Sequence, residues 1–447
     1  MMCNPSEMFK IPGAGRESLT AQMFENKLSI MNAEKVEKLF WLLVIAWCIL
    51  RIILMGSQYA GNTDPSFRAA VLRHFSDGDI AAGREYALYG FWFRAVYGFL
   101  LLGALIAMLR HGFFGALWQR TGDLAGPGLM RQDLLFILAS LLVIQVMSFP
   151  SSVYLGYWRE AASGFSNIDF AGWLLRYSKS LLLGLGLQTL AILILLAVMR
   201  WFPQKWQLLV PGVMGLFALA VTLLAPIIIT PLFYNQTPLA DGKFKADILG
   251  MAEQAGMEVE DVYVIDESRY SKHTNAYFTG VGSYRRIVLY DNLIKSHTPE
   301  EAALIFAHEA GHWKYNHVAW GLSLGVLGML VIAVAYRLLF PVIAQVSWFG
   351  LTDMAGASGL PFLMVLLMML QLFSAPVESQ ISQLMEKQAD RVALELTGLR
   401  DVFISAQIRL SRDNRSDLLP SPLRVFWLYS HPPAIERIRM AEEFKPR

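Results

Sequence analysis

Seven long apolar stretches dominate the sequence, and they restrict its fold more than any other feature. Hydrophobic residues make up 55% of the chain and charged residues only 17%, against roughly 25% charged in a soluble domain. A helix needs about 17 to 25 apolar residues to cross a bilayer. We therefore predict a predominantly α-helical polytopic membrane protein, with spans at residues 39–55, 91–109, 134–155, 181–198, 208–233, 318–346 and 360–377.

Two polar segments interrupt this pattern and divide the chain into five parts. The first apolar stretch begins far behind Met1, unlike a cleaved signal peptide, so we expect it to stay in the membrane. We predict an N-terminal polar segment at 1–38, transmembrane helices 1 to 5 at 39–233, an α+β segment at 234–317, transmembrane helices 6 and 7 at 318–377, and a C-terminal polar segment at 378–447.

Charge and cysteine content exclude several kinds of site. The formal net charge is +2, so no basic field indicates nucleic-acid binding. Cys3 and Cys48 are the only cysteines, which excludes a disulfide framework and a cysteine-rich zinc module. Any metal bound by this chain must therefore use histidine and carboxylate ligands.

The segment at 234–317 has the pattern of a small α+β unit. Helical spacing, short β-branched runs and turn residues alternate within it. We predict, in chain order, a helix at 244–255, a strand at 262–265, and paired strands at 276–279 and 286–290 joined by a turn at Gly282 and Ser283.

A second helix in this segment has a well-defined start. Thr298, Pro299 and Glu301 have the order of an N-cap, a first-turn proline and a capping-box partner. We predict that the helix runs from Pro299 through His317.

This helix carries an H-E-x-x-H motif. Residues four apart share one helix face, so His308 and His312 can bind one zinc ion, with Glu309 beside them as general base for a water molecule. The alternative is a polar helix with fortuitous histidines. We interpret His297 and His317, on or beside the same helix, as surface or interfacial residues rather than ligands.

A third protein ligand is expected from a later helix, because catalytic zinc sites have three protein ligands. Glu386 and Asp390 lie four residues apart, so Glu386 would bind zinc while Asp390 supports a ligand histidine. His312 precedes the sixth span and Glu386 follows the seventh, which returns both to one membrane face. Glu378 and Glu395 are competing ligands, and a salt-bridged surface helix is the alternative interpretation.

Taken together, these residues resemble the type I CAAX prenyl proteases, a family of seven-span membrane zinc metalloproteases. The resemblance covers most of the chain and includes several motifs in the same order. These are Pro231-Leu232-Phe233, Asn235, Thr237-Pro238-Leu239, Gly242, Asn275-Ala276-Tyr277-Phe278, Arg286-Ile287-Val288-Leu289, the zinc helix, Pro376, Ser382, Glu386, Ala389, Asp390, Ser430-His431-Pro432 and Arg437.

The resemblance implies seven helices that enclose a water-filled chamber, with a small α+β zinc metalloprotease domain facing inward. It implies one zinc per chain and a role for each matching residue. The zinc ligands would be His308, His312 and Glu386, with Glu309 as general base and Asp390 supporting a ligand histidine. His431 and Arg437 would contact the substrate and the transition state. An edge strand that pairs with substrate would contain Asn275, Ala276, Tyr277 and Phe278.

Two departures from the family pattern concern the substrate channel. Gln383 follows Ser382 where family members usually have arginine, and the usual Gly-Phe-Asn run is Gly164-Phe165-Ser166-Asn167. Neither departure involves an expected zinc ligand.

The sequence therefore predicts a membrane zinc metalloendopeptidase. Its substrate would be a prenylated CAAX terminus or, in a bacterium, membrane proteins and peptides in quality control. The alternatives are a transporter or channel with a structural zinc site, and a shorter-type heat-shock membrane protease with fewer spans. We expect a bacterial inner membrane or endoplasmic reticulum location, with the active site on the cytosolic side and no nucleic-acid partner.

Overall fold

The apolar stretches fold into long helices. The computed structural model describes residues 32–445 apart from 255, 258, 260 and 280–285. Within that part of the chain, seven spans are long and apolar enough to cross a membrane, with a mean hydropathy of 1.8 to 2.6 over their most apolar windows. The predicted fold class is confirmed. The spans are Ala33–Ala60, Asp77–Arg110, Leu129–Ala162, Phe170–Trp201, Trp206–Phe233, His317–Ile343 and Ala357–Thr397.

Most spans are longer than the apolar stretches that predict them, because the helices continue through polar ends. The second span, for example, begins at a capping box in which Ser76 Oγ accepts a hydrogen bond from the Asp79 amide at 3.1 Å. Two spans contain a π-helical turn, at Tyr154–Trp158 and Ala225–Ile229. The helices of this half are α1 Ala33–Ala60, α2 Pro65–Leu72, α3 Asp77–Arg110, α4 Phe113–Ala125, α5 Leu129–Val153, α6 Arg159–Ala162, α7 Phe170–Trp201, α8 Trp206–Leu224 and α9 Thr230–Phe233.

Two arginine side chains within the spans contact other groups of the protein. Arg51 Nη1 donates to the carbonyls of Arg94 and Ala95, each at 3.1 Å. Arg200 pairs with the fully buried Asp133. A charge facing lipid without a partner would be costly, so these contacts explain how the spans retain such residues.

The polar segment between the fifth and sixth spans forms a small mixed sheet. Its described strands are β1 Gln236–Pro238, β2 Asp261–Ile265, β3 Ala276–Thr279 and β4 Arg286–Tyr290, in the order β1-β2-β4-β3. β2 and β4 are parallel, whereas β3 and β4 pair antiparallel as predicted. The turn expected at Gly282 and Ser283 lies outside the described residues. β3 is an edge strand of this sheet.

The remaining helices include three that pack against the sheet, the last two spans and three that follow them. They are α10 Lys243–Gln254, α11 Asp291–Ser296, α12 Pro299–Lys314, α13 His317–Ile343, α14 Leu360–Thr397, α15 Arg400–Asp413, α16 Pro422–Leu428 and α17 Ala434–Glu443.

Helix α12 begins as predicted but ends earlier. Thr298 Oγ1 accepts from the Glu301 amide at 3.2 Å, and the Glu301 carboxylate accepts from the Thr298 amide at 3.1 Å, which completes the capping box. The predicted continuation through His317 is wrong, because Asn316 adopts a left-handed conformation with φ of 54°. Asparagine tolerates this conformation better than most residues, so it can end one helix just before the next begins.

Helices α12 and α14 cross very closely at Gly311. A Cβ atom on Gly311 would lie 2.6 Å from Ala389 Cα and 2.9 Å from the Ala389 carbonyl oxygen. Both neighbouring atoms belong to backbone and cannot rotate away. The absence of a side chain at Gly311 therefore allows the two helices to reach this separation.

We expect Gly311→Ala to lower stability by about 1 to 3 kcal/mol, because the added methyl group forces two backbones apart. The measurement is thermal unfolding of the purified full-length protein in detergent. Gly321→Ala is the matched control: a Cβ there meets no atom within 4 Å, so only the helix propensity of alanine should act, which favours the folded state by about 1 kcal/mol. Equal melting temperatures for the two variants would contradict the close-crossing argument.

Candidate active site

Three side chains from two helices converge at the crossing of α12 and α14. His308 Nε2 lies 3.2 Å from His312 Nε2 and 3.3 Å from Glu386 Oε2. His312 Nε2 lies 3.3 Å from Glu386 Oε1. Among the described residues, these three form a group of histidine and carboxylate side chains able to hold a metal ion.

The donor atoms of this group fit a bound cation. Glu386 Oε2 is buried and has no hydrogen-bond donor among the described residues. Asp390 Oδ1 lies 2.8 Å from His308 Nδ1, and a carboxylate oxygen only accepts, so the proton of a neutral His308 belongs on Nδ1. The lone pair of His308 Nε2 then faces the Glu386 oxygens. A positive ion between these acceptors would remove their mutual repulsion.

Asp390 joins His308 to Arg437. Asp390 is fully buried, and Arg437 Nε donates to its Oδ2 at 2.7 Å while Arg437 Nη2 donates to Oδ1. The guanidinium thus neutralises a carboxylate that would otherwise be costly to bury. Arg437, which was expected to contact substrate, lies against Asp390 and also lines the cavity beside His308 and His431.

His312, the second histidine of the motif, also has a partner at Nδ1, the ring nitrogen that does not face Glu386. His312 Nδ1 lies 2.9 Å from His317 Nδ1, and His317 Nε2 lies 2.9 Å from Gln388 Oε1. The prediction that His297 and His317 lie at the surface is wrong, because they are only 7% and 6% exposed; neither belongs to the group able to hold a metal ion. The helix break at Asn316, which the hydrophobic pattern does not reveal, turns His317 back toward His312.

Glu309 lines a cavity that reaches this group at His308. The cavity has a volume of about 580 Å³, and Glu309 shares its wall with His308, His431 and Asn275. Burial raises the pKa of the Glu309 carboxyl above its usual range, although the neighbouring His308 and His312 oppose the shift. A carboxyl with a raised pKa binds a proton more readily than an exposed one, which suits a group that exchanges protons.

The two competing acids lie elsewhere. Glu378 accepts a hydrogen bond from Ser374 Oγ at 3.0 Å, and Glu395 pairs with Arg391 at 2.9 Å on the exposed face of α14. The described structure does not bring either carboxylate to His308 and His312.

His431 approaches the group from the loop between α16 and α17. Its Nε2 lies 3.3 Å from Glu386 Oε2, and more than half of its side chain is exposed. Ser382 Oγ donates to the Ser430 carbonyl at 2.8 Å, and Gln383 Nε2 donates to the Tyr429 carbonyl at 3.1 Å. Gln383, the residue that departs from the family pattern, therefore helps to hold the segment that carries His431.

Asn275 lies just before the edge strand β3 and lines the same cavity. Its carbonyl accepts from the Tyr290 amide at 3.0 Å, and its side-chain oxygen accepts from the Ala276 amide at 2.9 Å. The Asn275 side chain thus starts the hairpin and also borders the cavity. Tyr277 is half-buried in β3, whereas the Phe278 side chain lies outside the described part of the structure.

Comparison with known proteins gives consistent matches across both halves of the chain. A family model described as peptidase family M48 matches residues 238–445, and one described as the CAAX prenyl protease N-terminal domain of five membrane helices matches residues 58–235. CAAX prenyl protease 1 of Saccharomyces cerevisiae is 27% identical over 369 residues, which is 75% of this chain and 80% of that protein.

A bacterial relative and a solved structure are also similar. The uncharacterized metalloprotease YhfN of Bacillus subtilis is 28% identical over 330 residues, covering 72% of this chain and 76% of that protein. The crystal structure of S. mikatae Ste24p has a TM-score of 0.75 and 24% identity, covering 95% of this chain and 99% of the other, and it supports the fold.

These matches decide between the functional classes. Neither family model describes a transporter or a channel, so the alternative of a structural zinc site is not supported. The predicted resemblance and peptidase activity are confirmed. The two models together span residues 58–445. Residues 238–445 match peptidase family M48, and the chain is a multi-pass membrane metalloprotease.

Proposed function

We propose that this chain is a zinc endopeptidase in which His308, His312 and Glu386 bind the metal. The observation that supports this proposal most strongly is that the Nε2 atoms of the two histidines and the two carboxylate oxygens of Glu386 converge. Donors at 2.0 to 2.1 Å from a tetrahedral zinc would be separated by about 3.3 to 3.4 Å. The observed separations are 3.2 to 3.3 Å, as expected for a site arranged around such an ion.

The chemistry of the donors favours zinc over other biological cations. Two imidazoles and one carboxylate suit zinc, whereas magnesium and calcium prefer sites made of oxygen. Bound zinc would activate water and polarise the carbonyl of the scissile peptide bond. We propose one zinc per chain.

Each protein group then has a proposed task. Glu309, in the cavity wall beside the metal ligands, takes a proton from the attacking water and later gives it to the leaving amine. His431, exposed and 3.3 Å from Glu386, donates a hydrogen bond to the developing oxyanion. Asp390 orients His308, and Arg437 holds Asp390 in place.

We propose that the substrate binds as an extended strand along β3. This strand forms the edge of the sheet, so an added peptide can pair with its backbone. Asn275 at the start of β3 lies in the cavity wall and would fix the substrate relative to His308. The segments at 234–317 and 378–447 together form the catalytic unit in this proposal.

We propose a C-terminal CAAX peptide, carrying a prenyl group on its cysteine, as the substrate class. The proposal is supported by the names of the yeast relative and of the N-terminal family model, whereas the bacterial relative is named only as a metalloprotease. Cleavage of unprenylated membrane peptides is the second candidate. We place the active site on the cytosolic side, which protease protection of a C-terminal tag in sealed membranes would test.

We also propose that the spans enclose a water-filled chamber. Arg94 lies in the middle of α3 with an exposed side chain, and a charge at that depth requires water or a partner. Labelling of Arg94→Cys by a membrane-impermeant thiol reagent would test whether water reaches this position.

We expect the purified protein to contain one zinc per chain and to cleave a prenylated CAAX peptide on the carboxyl side of its modified cysteine. Mass spectrometry of matched prenylated and unprenylated peptides measures both the site and the preference. Glu309→Gln should retain zinc and lose hydrolysis by about two to four orders of magnitude, because the base is gone while the ligands are intact.

Three outcomes would contradict parts of this proposal. Equal cleavage of both peptides would favour the quality-control function. Undiminished activity in Glu309→Gln would eliminate Glu309 as the base. Full zinc occupancy in Glu386→Ala would mean that another group supplies the third ligand.

For His431→Ala we expect kcat to fall about a hundredfold or more, with zinc content and KM nearly unchanged. The reason is that a hydrogen bond to the oxyanion exists only in the transition state, and losing one costs about 2.7 to 4 kcal/mol in comparable sites. Steady-state kinetics and metal analysis on the same sample measure the effect. A variant with normal kcat and a raised KM would instead make His431 a substrate-binding residue.

For Asn275→Ala we expect kcat/KM to fall by the equivalent of about 1 to 3 kcal/mol without loss of zinc, because a polar substrate group is left unpaired. Asn62→Ala is the control, since the Asn62 side-chain oxygen also accepts from a backbone amide, that of Asp64 at 3.0 Å, and Asn62 does not line this cavity. Unchanged kinetics in Asn275→Ala would restrict this residue to starting the hairpin.

A further inference from the structure

The outer nitrogen of His312 leads into a chain of two hydrogen bonds that ends at the protein surface. His312 Nδ1 lies 2.9 Å from His317 Nδ1, and His317 Nε2 lies 2.9 Å from the side-chain oxygen of Gln388. His317 is only 6% exposed, whereas Gln388 is exposed on α14. His317 is therefore a buried polar residue with one partner on each ring nitrogen.

The hydrogen-bond partners of His317 determine which ring nitrogens of His317 and His312 carry a hydrogen. An amide oxygen only accepts, so His317 Nε2 must carry the hydrogen that it donates to Gln388. A neutral imidazole has one N–H group, which leaves a lone pair on His317 Nδ1. His312 Nδ1 must then donate to that lone pair. The remaining lone pair of His312, on Nε2, faces His308 and Glu386.

The backbone around His317 is built to hold this contact. Asn316, in its left-handed conformation, separates α12 from α13 and brings the first residue of α13 back over the last turn of α12. The His317 ring also stacks on Tyr315, with 5.9 Å between ring centroids and 13° between planes. The ring is thus restrained from two directions.

We propose that His317 is a positioning residue that holds His312 in the tautomer whose Nε2 lone pair points at the metal, and that Gln388 sets the tautomer of His317. The proposal rests on the proposed function, because it takes His312 as a metal ligand. In this proposal the two ligand histidines are oriented by different kinds of group. His308 has the anionic Asp390, backed by Arg437, whereas His312 has a neutral imidazole.

The test is the zinc affinity of the full-length protein, measured by competition with a chelator at fixed pH. His317→Leu fills similar space without an acceptor, so affinity should fall about 10 to 100-fold. His317→Asn places a side-chain oxygen near the position of Nδ1 and should recover most of the loss. His297→Leu is the control, since it removes another buried histidine that lies outside the metal-binding group.

Gln388 provides a second test that does not disturb the interior. Gln388→Glu keeps an acceptor for the His317 N–H and should retain affinity, whereas Gln388→Lys offers only a donor and should lower it. Because Gln388 is exposed, both variants are expected to fold. The reverse order of affinities would mean that the amide donates to His317 and would overturn the proton assignment.

Other outcomes separate this proposal from the proposed function. If His317→Leu binds zinc like the wild type, or if His317→Asn is as weak as His317→Leu, the positioning role is wrong. If the wild type binds zinc and His312→Ala does not, the metal site stands whatever His317 does. If His312→Ala binds zinc normally, the proposed metal site itself fails.

Discussion

The close crossing of α12 and α14 is the contact on which the active-site geometry depends. At Gly311 the helix that carries His308 and His312 touches the backbone of the helix that carries Glu386. Neither helix alone offers three donors to a metal. Because α14 also continues from the seventh span, the same contact fixes the catalytic unit to the membrane domain. Stability and the proposed metal site therefore depend on one interface.

Around that crossing, buried polar residues lie against the outer ring nitrogens of both histidines of the motif. Asp390 is fully buried and bound by both His308 and Arg437, so the carboxylate is compensated on two sides. Such a pair contributes little net stability compared with apolar packing, but it fixes the direction of the His308 ring. On the other side of the site, His317 performs the corresponding task for His312 without a charge.

The sequence predicts much of this arrangement because its strongest signals are local or periodic. Hydropathy identifies the seven spans, and helical spacing places His308 and His312 on one face. Glu386 could be proposed because the two flanking spans form a hairpin. The helix break at Asn316 is a single-residue change of φ with no periodic signature, so the role of His317 could not be predicted. Likewise, the pairing of Arg437 with Asp390 depends on how two helices distant in sequence pack together.

The length of α14 determines how deep in the membrane the reaction takes place. The helix runs from Leu360 to Thr397 with Pro376 inside it, and Glu386 lies 26 residues beyond its first residue. At 1.5 Å per residue this is about 39 Å along the axis, whereas the hydrocarbon layer is about 30 Å thick. If that layer begins at Leu360, Glu386 stands only about 9 Å outside it, at the level of the lipid headgroups. A peptide of the proposed substrate class, with its lipid anchor among the acyl chains, can then reach Glu386 without leaving the bilayer.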